Sequence, residues 1–173
     1  MNDFINMQLM QENDEDDENI KKIFAINLKN CKERGECPTC NNFLYHNIYI
    51  TDKDLILFEN EIFLVILEKY PRRSGHTILI IKEHHEDISE MPKSIIGNLY
   101  DISAKIINAL KTVLKAKKVY FVTMCDGGRN HLHFQFIPRF EDENHGSSVF
   151  VSPRMSVKKD RTIIAQLKNI INN

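Results

Sequence analysis

The sequence predicts an α+β fold: an antiparallel sheet of about five strands, a long amphipathic helix packed across it, and short helices near both ends. Three observations predict it. β-Branched and aromatic runs separated by turn residues fill the middle of the chain. After Pro92 the apolar period lengthens to three or four residues, the spacing of a helix. A strongly alternating segment, His131 to Pro138, then returns to strand chemistry.

Length and composition suit one domain, with 173 residues and a hydrophobic fraction of 42%. Glu12 to Glu18 holds six carboxylates in seven positions, a composition that cannot offset the entropy of ordering. Residues 1–18 are therefore expected to form an acidic, disordered arm, and 19–173 a single domain. From Asn19 to about Lys32 the apolar spacing predicts a short helix ending toward Gly35. Cys37-Pro38-Thr39-Cys40 reads as a tight turn, followed by strands at Phe43 to Ile50, Leu55 to Phe58 and Glu61 to Lys69. Pro71 to Gly75 is a turn signal, so His76 to Lys82 should pair antiparallel with the strand before it.

Ile95, Ile96, Leu99, Ile102, Ile106, Leu110 and Val113 describe one long helix lying across the sheet. Lys118 to Met124 is a strand, Asp126 to Asn130 turns the chain, and His131 to Pro138 is a second strand. Glu141 to Arg154 reads as loop and Asp160 to Ile171 as a small helix.

With 23 basic against 24 acidic residues the net charge is −1, so no whole-molecule field draws the chain onto nucleic acid or an anionic membrane. A small, locally recognised partner is the expected target. The opening Met1 to Ile5 lacks the basic flank and apolar run of a secretion signal, and the apolar stretch Ile62 to Leu67 is too short to span a bilayer. The expected location is the cytoplasm. The four cysteines then read as thiols, with Cys37 and Cys40 at metal-ligand spacing. That C-x-x-C pair suits a tetrahedral ion with two further ligands, or else a redox pair.

Alternation along the last strand puts His131, His133 and Gln135 on one face and Leu132, Phe134 and Phe136 on the other. Sheet packing does not call for two imidazoles and an amide in a row. Positions two apart lie about 6.5 to 7 Å apart, so one imidazole can bind metal while its neighbour attacks. A neutral imidazole is a competent nucleophile near pH 7 once a carbonyl or carboxylate fixes its tautomer. The Gly127-Gly128 turn before this strand, rich in backbone donors, suits an anion.

The run His131-Leu132-His133-Phe134-Gln135-Phe136-Ile137 resembles the signature of the histidine-triad (HIT) superfamily, with glutamine in the third histidine's place. Glu68 to His84 resembles that family's strand-turn-strand block, and together the similarity extends from about Cys37 to Arg139. The resemblance implies that His133 is the nucleophile, that Gln135 holds a phosphate oxygen, and that Glu68 faces the ribose hydroxyls. Phosphate contacts in the shortened turn fall to Arg129 and Asn130. Glutamine at this position is similar to the dinucleoside polyphosphate phosphorylase and galactose-1-phosphate uridylyltransferase branches. An amide cannot act as a general acid, which favours a leaving group that departs without protonation.

In members with the same cysteine pair the zinc ligands resemble Cys37, Cys40, His84 and His131, a structural set; His85 is the alternative to His84, and Cys31 and Cys125 are competing thiols. His46, His76 and His145 receive no role. The implied function is a HIT-type nucleotidyl hydrolase or transferase, acting at the α-phosphorus of a nucleotide ester or dinucleoside polyphosphate through a nucleotidyl-histidine. Alternatives are uridylyltransferase-like transfer and a non-catalytic, zinc-stabilised nucleotide-binding module. A nucleic-acid deadenylating activity lacks the basic patch it needs. The resemblance also implies a homodimer.

Overall fold

The computed structural model describes residues 14–45, 53–124, 130–150, 153–154 and 159–173. Helix α1 covers Asp14–Arg34 and α2 Pro38–Tyr45; strands β1, β2 and β3 cover Ile56–Glu59, Phe63–Leu67 and Thr77–Ile81. Helix α3 (Lys93–Leu114), strand β4 (Lys118–Val122), strand β5 (His133–Arg139) and helix α4 (Arg161–Asn172) follow. The five strands form one sheet in the order β1-β2-β3-β5-β4, antiparallel at every junction.

Each connection has a local cause. Asn60 turns the chain between β1 and β2, its side-chain oxygen accepting from the amides of Ile62 and Phe63 at 2.9 and 2.7 Å. Gly75 closes the β2–β3 turn at φ +79°, where an added Cβ would stand 2.2 Å from Leu114 Cδ1. Both the backbone conformation and the lack of room exclude a side chain there. Pro92 precedes α3 at its N-terminus, and Lys115 stops it in the left-handed conformation. Asp160 caps α4, accepting from the amides of Thr162 and Ile163.

The sheet has two unlike faces. On one, Leu57, Phe63, Val65, Leu79, Ile81, Leu132, Phe134 and Phe136 meet Leu99, Ile102, Ile106 and Leu110 of α3 and Ile164, Leu167 and Ile171 of α4. Phe121 of β4 stacks on Phe134 and Phe136 at 5.2 and 5.0 Å. Burial of each of these side chains contributes about 1.5 to 3 kcal/mol. On the other face, Leu64, Ile66 and Ile80 form a smaller apolar cluster with Ile56 and Ile78. Among the described residues no helix is long and apolar enough to cross a membrane.

The structure corrects the sequence reading in four places. Helix α1 is described from Asp14, so the backbone of Asp14 to Glu18, the end of the acidic run, is helical. Cys37-Pro38-Thr39-Cys40 opens a helix instead of making a turn, because Pro38 fits a first helical position and the Cys37 sulfur accepts from the Cys40 amide at 3.5 Å. Phe43 to Tyr45, expected in a strand, therefore belong to α2, and the rest of that expected strand, 46–50, lies outside the described residues. The loop after β5 contains a short 3-10 turn at Ser147–Phe150.

Candidate functional site

Two clusters flank β5. The first gathers Cys37 and Cys40 from the start of α2, His84 from the segment after β3, and His131 from just before β5. Their ligand atoms all lie within 4.8 Å of one another. His131 Nδ1 stands 3.4 Å from each sulfur and 3.4 Å from His84 Nδ1, and Cys40 Sγ stands 3.4 Å from His84 Nδ1. Bonds of about 2.3 Å to sulfur and 2.0 Å to nitrogen around a tetrahedral ion require roughly 3.6 Å between sulfur and nitrogen and roughly 3.3 Å between nitrogens. The donor set matches.

Protonation chemistry agrees. Burial, together with the Cys37 sulfur beside it, pushes the Cys40 thiol up to about 12. Two thiolates therefore coexist here only around a cation. His131 donates its Nε2 proton to the Ile81 carbonyl, which leaves the Nδ1 lone pair for the metal. Its pKa is lowered by burial, which keeps the ring neutral. His84 Nε2 lies 3.9 Å from the Glu86 carboxylate. Cys37, Cys40, His84 and His131 thus form a structural zinc site, with four protein ligands and no open coordination position.

His84, not His85, is the ligand. The His85 ring is buried and turned toward Glu83, 3.6 Å away, while its carbonyl accepts from the Leu132 amide. Cys31 is buried on α1 and stands apart from the cluster; Cys125 and His46 lie outside the described residues.

The second cluster lies on the sheet face away from α3. Register sets it: His133 is opposite Ile80, Gln135 is opposite Ile78, and Ile80 and Ile78 are opposite Leu64 and Ile66. One step further, Glu68 and His76 face each other, the Glu68 amide donating to the His76 carbonyl at 2.8 Å. The polar row His133, Gln135, His76, Glu68 thus runs along an apolar floor.

Hydrogen bonding fixes the tautomers in sequence. A carbonyl only accepts, so the 2.9 Å contact of His133 Nδ1 with the His131 oxygen places a proton on Nδ1 and leaves Nε2 its lone pair. The Arg72 amide donates to His76 Nδ1 at 3.3 Å, so His76 carries its proton on Nε2 and donates to Gln135 Oε1 at 3.1 Å. The Gln135 amide nitrogen is then directed at His133 Nε2, a long contact of 3.5 Å. His76 is 1% exposed, and burial, reinforced by the Arg154 charge, lowers its pKa to about 4. It is a neutral, oriented donor.

His76 is the member of this row to which the sequence reading assigned no role. Its only signal is position, a histidine straight after the Gly75 turn. Glu68 is brought to the site, but its two oxygens are engaged: Oε1 accepts from the Tyr70 amide at 3.2 Å and Oε2 pairs with Arg154 at 3.2 Å. Asn130 lies just before β5, Arg129 falls outside the described residues, and His145 is exposed on the loop after β5.

Comparison with known proteins agrees with this architecture. The sequence pattern of the HIT domain family matches residues 51–142, more than half of the chain. An uncharacterized HIT-like protein of Saccharolobus solfataricus is 28% identical over 129 residues, 69% of this chain and 92% of that protein. Among solved structures, a hypothetical histidine triad nucleotide-binding protein from Sulfolobus tokodaii superposes with a TM-score of 0.61 at 23% identity, covering 79% of this chain and 93% of that one. A zinc-bound histidine triad family protein from Mycobacterium smegmatis gives 0.52 at 21% identity, over 68% and 85% of the two chains.

Proposed function

The chain belongs to the HIT family, and on that premise we propose that it is a nucleotidyl hydrolase or nucleotidyltransferase in which His133 attacks the α-phosphorus of a nucleotide ester or dinucleoside polyphosphate. The observation that carries this reading is the tautomer of His133: Nδ1–H is tied to the His131 carbonyl and Nε2 is left with its lone pair on the polar face. In the first step Nε2 bonds to phosphorus, and the bond to the leaving oxygen breaks with its electron pair. In the second, water or phosphate takes the nucleotidyl group, loses a proton, and frees the histidine. The Nδ1 hydrogen bond supports the imidazolium charge that develops on attack.

Gln135 assists as a donor and not as an acid. With Oε1 accepting from His76, its NH₂ is the end presented toward His133, where a non-bridging phosphate oxygen of the substrate would lie. Leaving groups that depart as phosphate anions need no protonation and suit this site. The zinc site supplies stability: it ties α2 to the start of β5, and through the His131 carbonyl to the orientation of His133. A homodimer through edge strand β4 is part of this reading, because Tyr100 of α3 is exposed against Phe121 there, the ring centres 6.2 Å apart.

The test is chemical trapping. Protein incubated with α-³²P-labelled dinucleoside tetraphosphate and quenched in alkali should retain acid-labile label, and His133→Ala should retain none while keeping fold and metal. Undiminished turnover in His133→Ala removes the mechanism. Absence of any adduct in the wild type, with measurable nucleotide affinity, identifies a binding module instead.

A further inference from the structure

Helices α1 and α2 form a hairpin at the margin of the fold. They pack against each other, and among the described residues neither packs broadly against a strand, α3 or α4. The hairpin is closed within itself: the Glu36 amide donates to the Cys31 carbonyl at 2.8 Å, Arg34 donates to both Glu36 carboxylate oxygens at 2.9 and 2.8 Å, and Asn41 donates to Glu36 Oε2 at 3.2 Å. The metal cluster joins it to the sheet, Cys37 and Cys40 coming from the hairpin and His84 and His131 from the segments beside β3 and β5.

That cluster has a closed side and an open one. Cys37 and His131 are 8% and 6% exposed, whereas Cys40 is half-buried and the His84 side chain is 39% exposed. Cys37 immediately precedes α2, and its sulfur accepts from the Cys40 amide at 3.5 Å, as a helix-capping side chain does. Both sulfurs therefore sit over the same first turn, within 4.8 Å of each other. Cα atoms three residues apart on one helical turn fall inside the bridging range of roughly 4.4 to 6.8 Å, so a disulfide of about 2.05 Å closes by side-chain rotation.

We propose that Cys37 and Cys40 are a site of reversible oxidation by a hydroperoxide, at which a disulfide takes the place of the zinc and the α1–α2 hairpin is freed from the sheet. The Cys40 thiolate, on the open side, attacks one peroxide oxygen; the O–O bond breaks, hydroxide leaves, and Cys40 becomes a sulfenic acid. The Cys37 thiolate then attacks the Cys40 sulfur, the S–O bond breaks, and a second hydroxide leaves. The two thiolates have lost two electrons and the peroxide has gained them. A disulfide offers no anionic sulfur, so two of the four ligands are gone and the ion is no longer held. His131 keeps its Nε2 bond to the Ile81 carbonyl, so the sheet side of the cluster stays in place while the hairpin side lets go. A dithiol reverses the oxidation by exchange.

The test uses zinc-loaded, full-length wild-type protein and hydrogen peroxide, with glutathione oxidised in a parallel sample. Peroxide should release about one zinc per chain to a colorimetric chelator. Trypsin cuts after Arg34 and Lys53, leaving both cysteines in one peptide, residues 35–53, which should weigh two hydrogens less under non-reducing conditions. Amide exchange across Pro38–Tyr45 should quicken at least about tenfold, because an eight-residue helix without tertiary support is marginal. Dithiothreitol followed by zinc should restore peptide mass, metal content and exchange. Zinc retained after the glutathione is fully oxidised, zinc released with the peptide mass unchanged, or a gain of two or three oxygens on a cysteine overturns the assignment. Unchanged exchange in α2 once the disulfide has formed overturns the release of the hairpin, and failure of the reductant to restore the starting state overturns reversibility. None of these readouts involves turnover, so they stand or fall apart from the nucleotidyl chemistry of His133.

Discussion

Replacing His76 by phenylalanine separates two effects that the structure assigns to one ring. At pH 7.5 the loss of the Nε2 proton leaves Gln135 Oε1, buried beside it, without its donor. An orphaned buried acceptor costs about 1 to 3 kcal/mol. The second effect is linkage. His76 titrates at about 4 when folded, against 6.5 for a free imidazole, because it is buried and faces the Arg154 and Arg72 guanidiniums and His133. Between those two values the unfolded chain binds a proton that the folded chain refuses, so stability falls as pH falls.

A displacement of 2.5 units, from 6.5 to 4, corresponds to about 3 kcal/mol, of which about 2 to 3 kcal/mol is lost between pH 7.5 and 4.5. His76→Phe has no such group. Urea unfolding of zinc-loaded wild type and variant across this range should show the variant less stable at pH 7.5, with the gap closing or reversing by pH 4.5. Acid loss of zinc affects both proteins and cancels in the difference. A gap that stays constant with pH refutes the assignment of His76 as a neutral, buried donor. Turnover should fall as well, since the released amide can present its oxygen to the lone pair of His133 Nε2.

Two further outcomes follow from the geometry. Elemental analysis should find about one zinc per chain, falling sharply in Cys37→Ser, and chelation should lower the thermal midpoint; unchanged zinc in Cys37→Ser removes the ligand set. Gly75→Ala should cost more than the roughly 1 kcal/mol of a positive-φ penalty, because the new methyl meets Leu114 Cδ1 at 2.2 Å; a midpoint in urea equal to wild type contradicts the tight turn.

Much of the site was legible because strand and helix periods are short-range rules. Alternation alone assigned His131, His133 and Gln135 to one face and Phe134 and Phe136 to the core; Phe134 and Phe136 are in the core and His133 and Gln135 share the other face, while His131 stands just before β5, in the metal cluster. The C-x-x-C pair likewise announced a metal by its spacing. Local chemistry misled at Phe43 to Tyr45, where aromatic residues suggested a strand; Pro38 and the Cys37 cap instead nucleate a helix that aims both sulfurs at the histidines.

By itself the sequence determined the succession of elements from Leu55 onward, the separation of His133 and Gln135 from the core side of β5, and the amphipathic face of α3, because each depends on residues only a few positions apart. The choice of His84 over His85, the burial of His76 against Gln135, and the anchoring of Arg154 on Glu68 belong to the tertiary structure. Each joins groups separated by 44 to 91 residues, and their meeting depends on strand register and on where the C-terminal segment crosses the sheet. No local period carries that information, since the free energy that selects such pairings comes from packing the whole core.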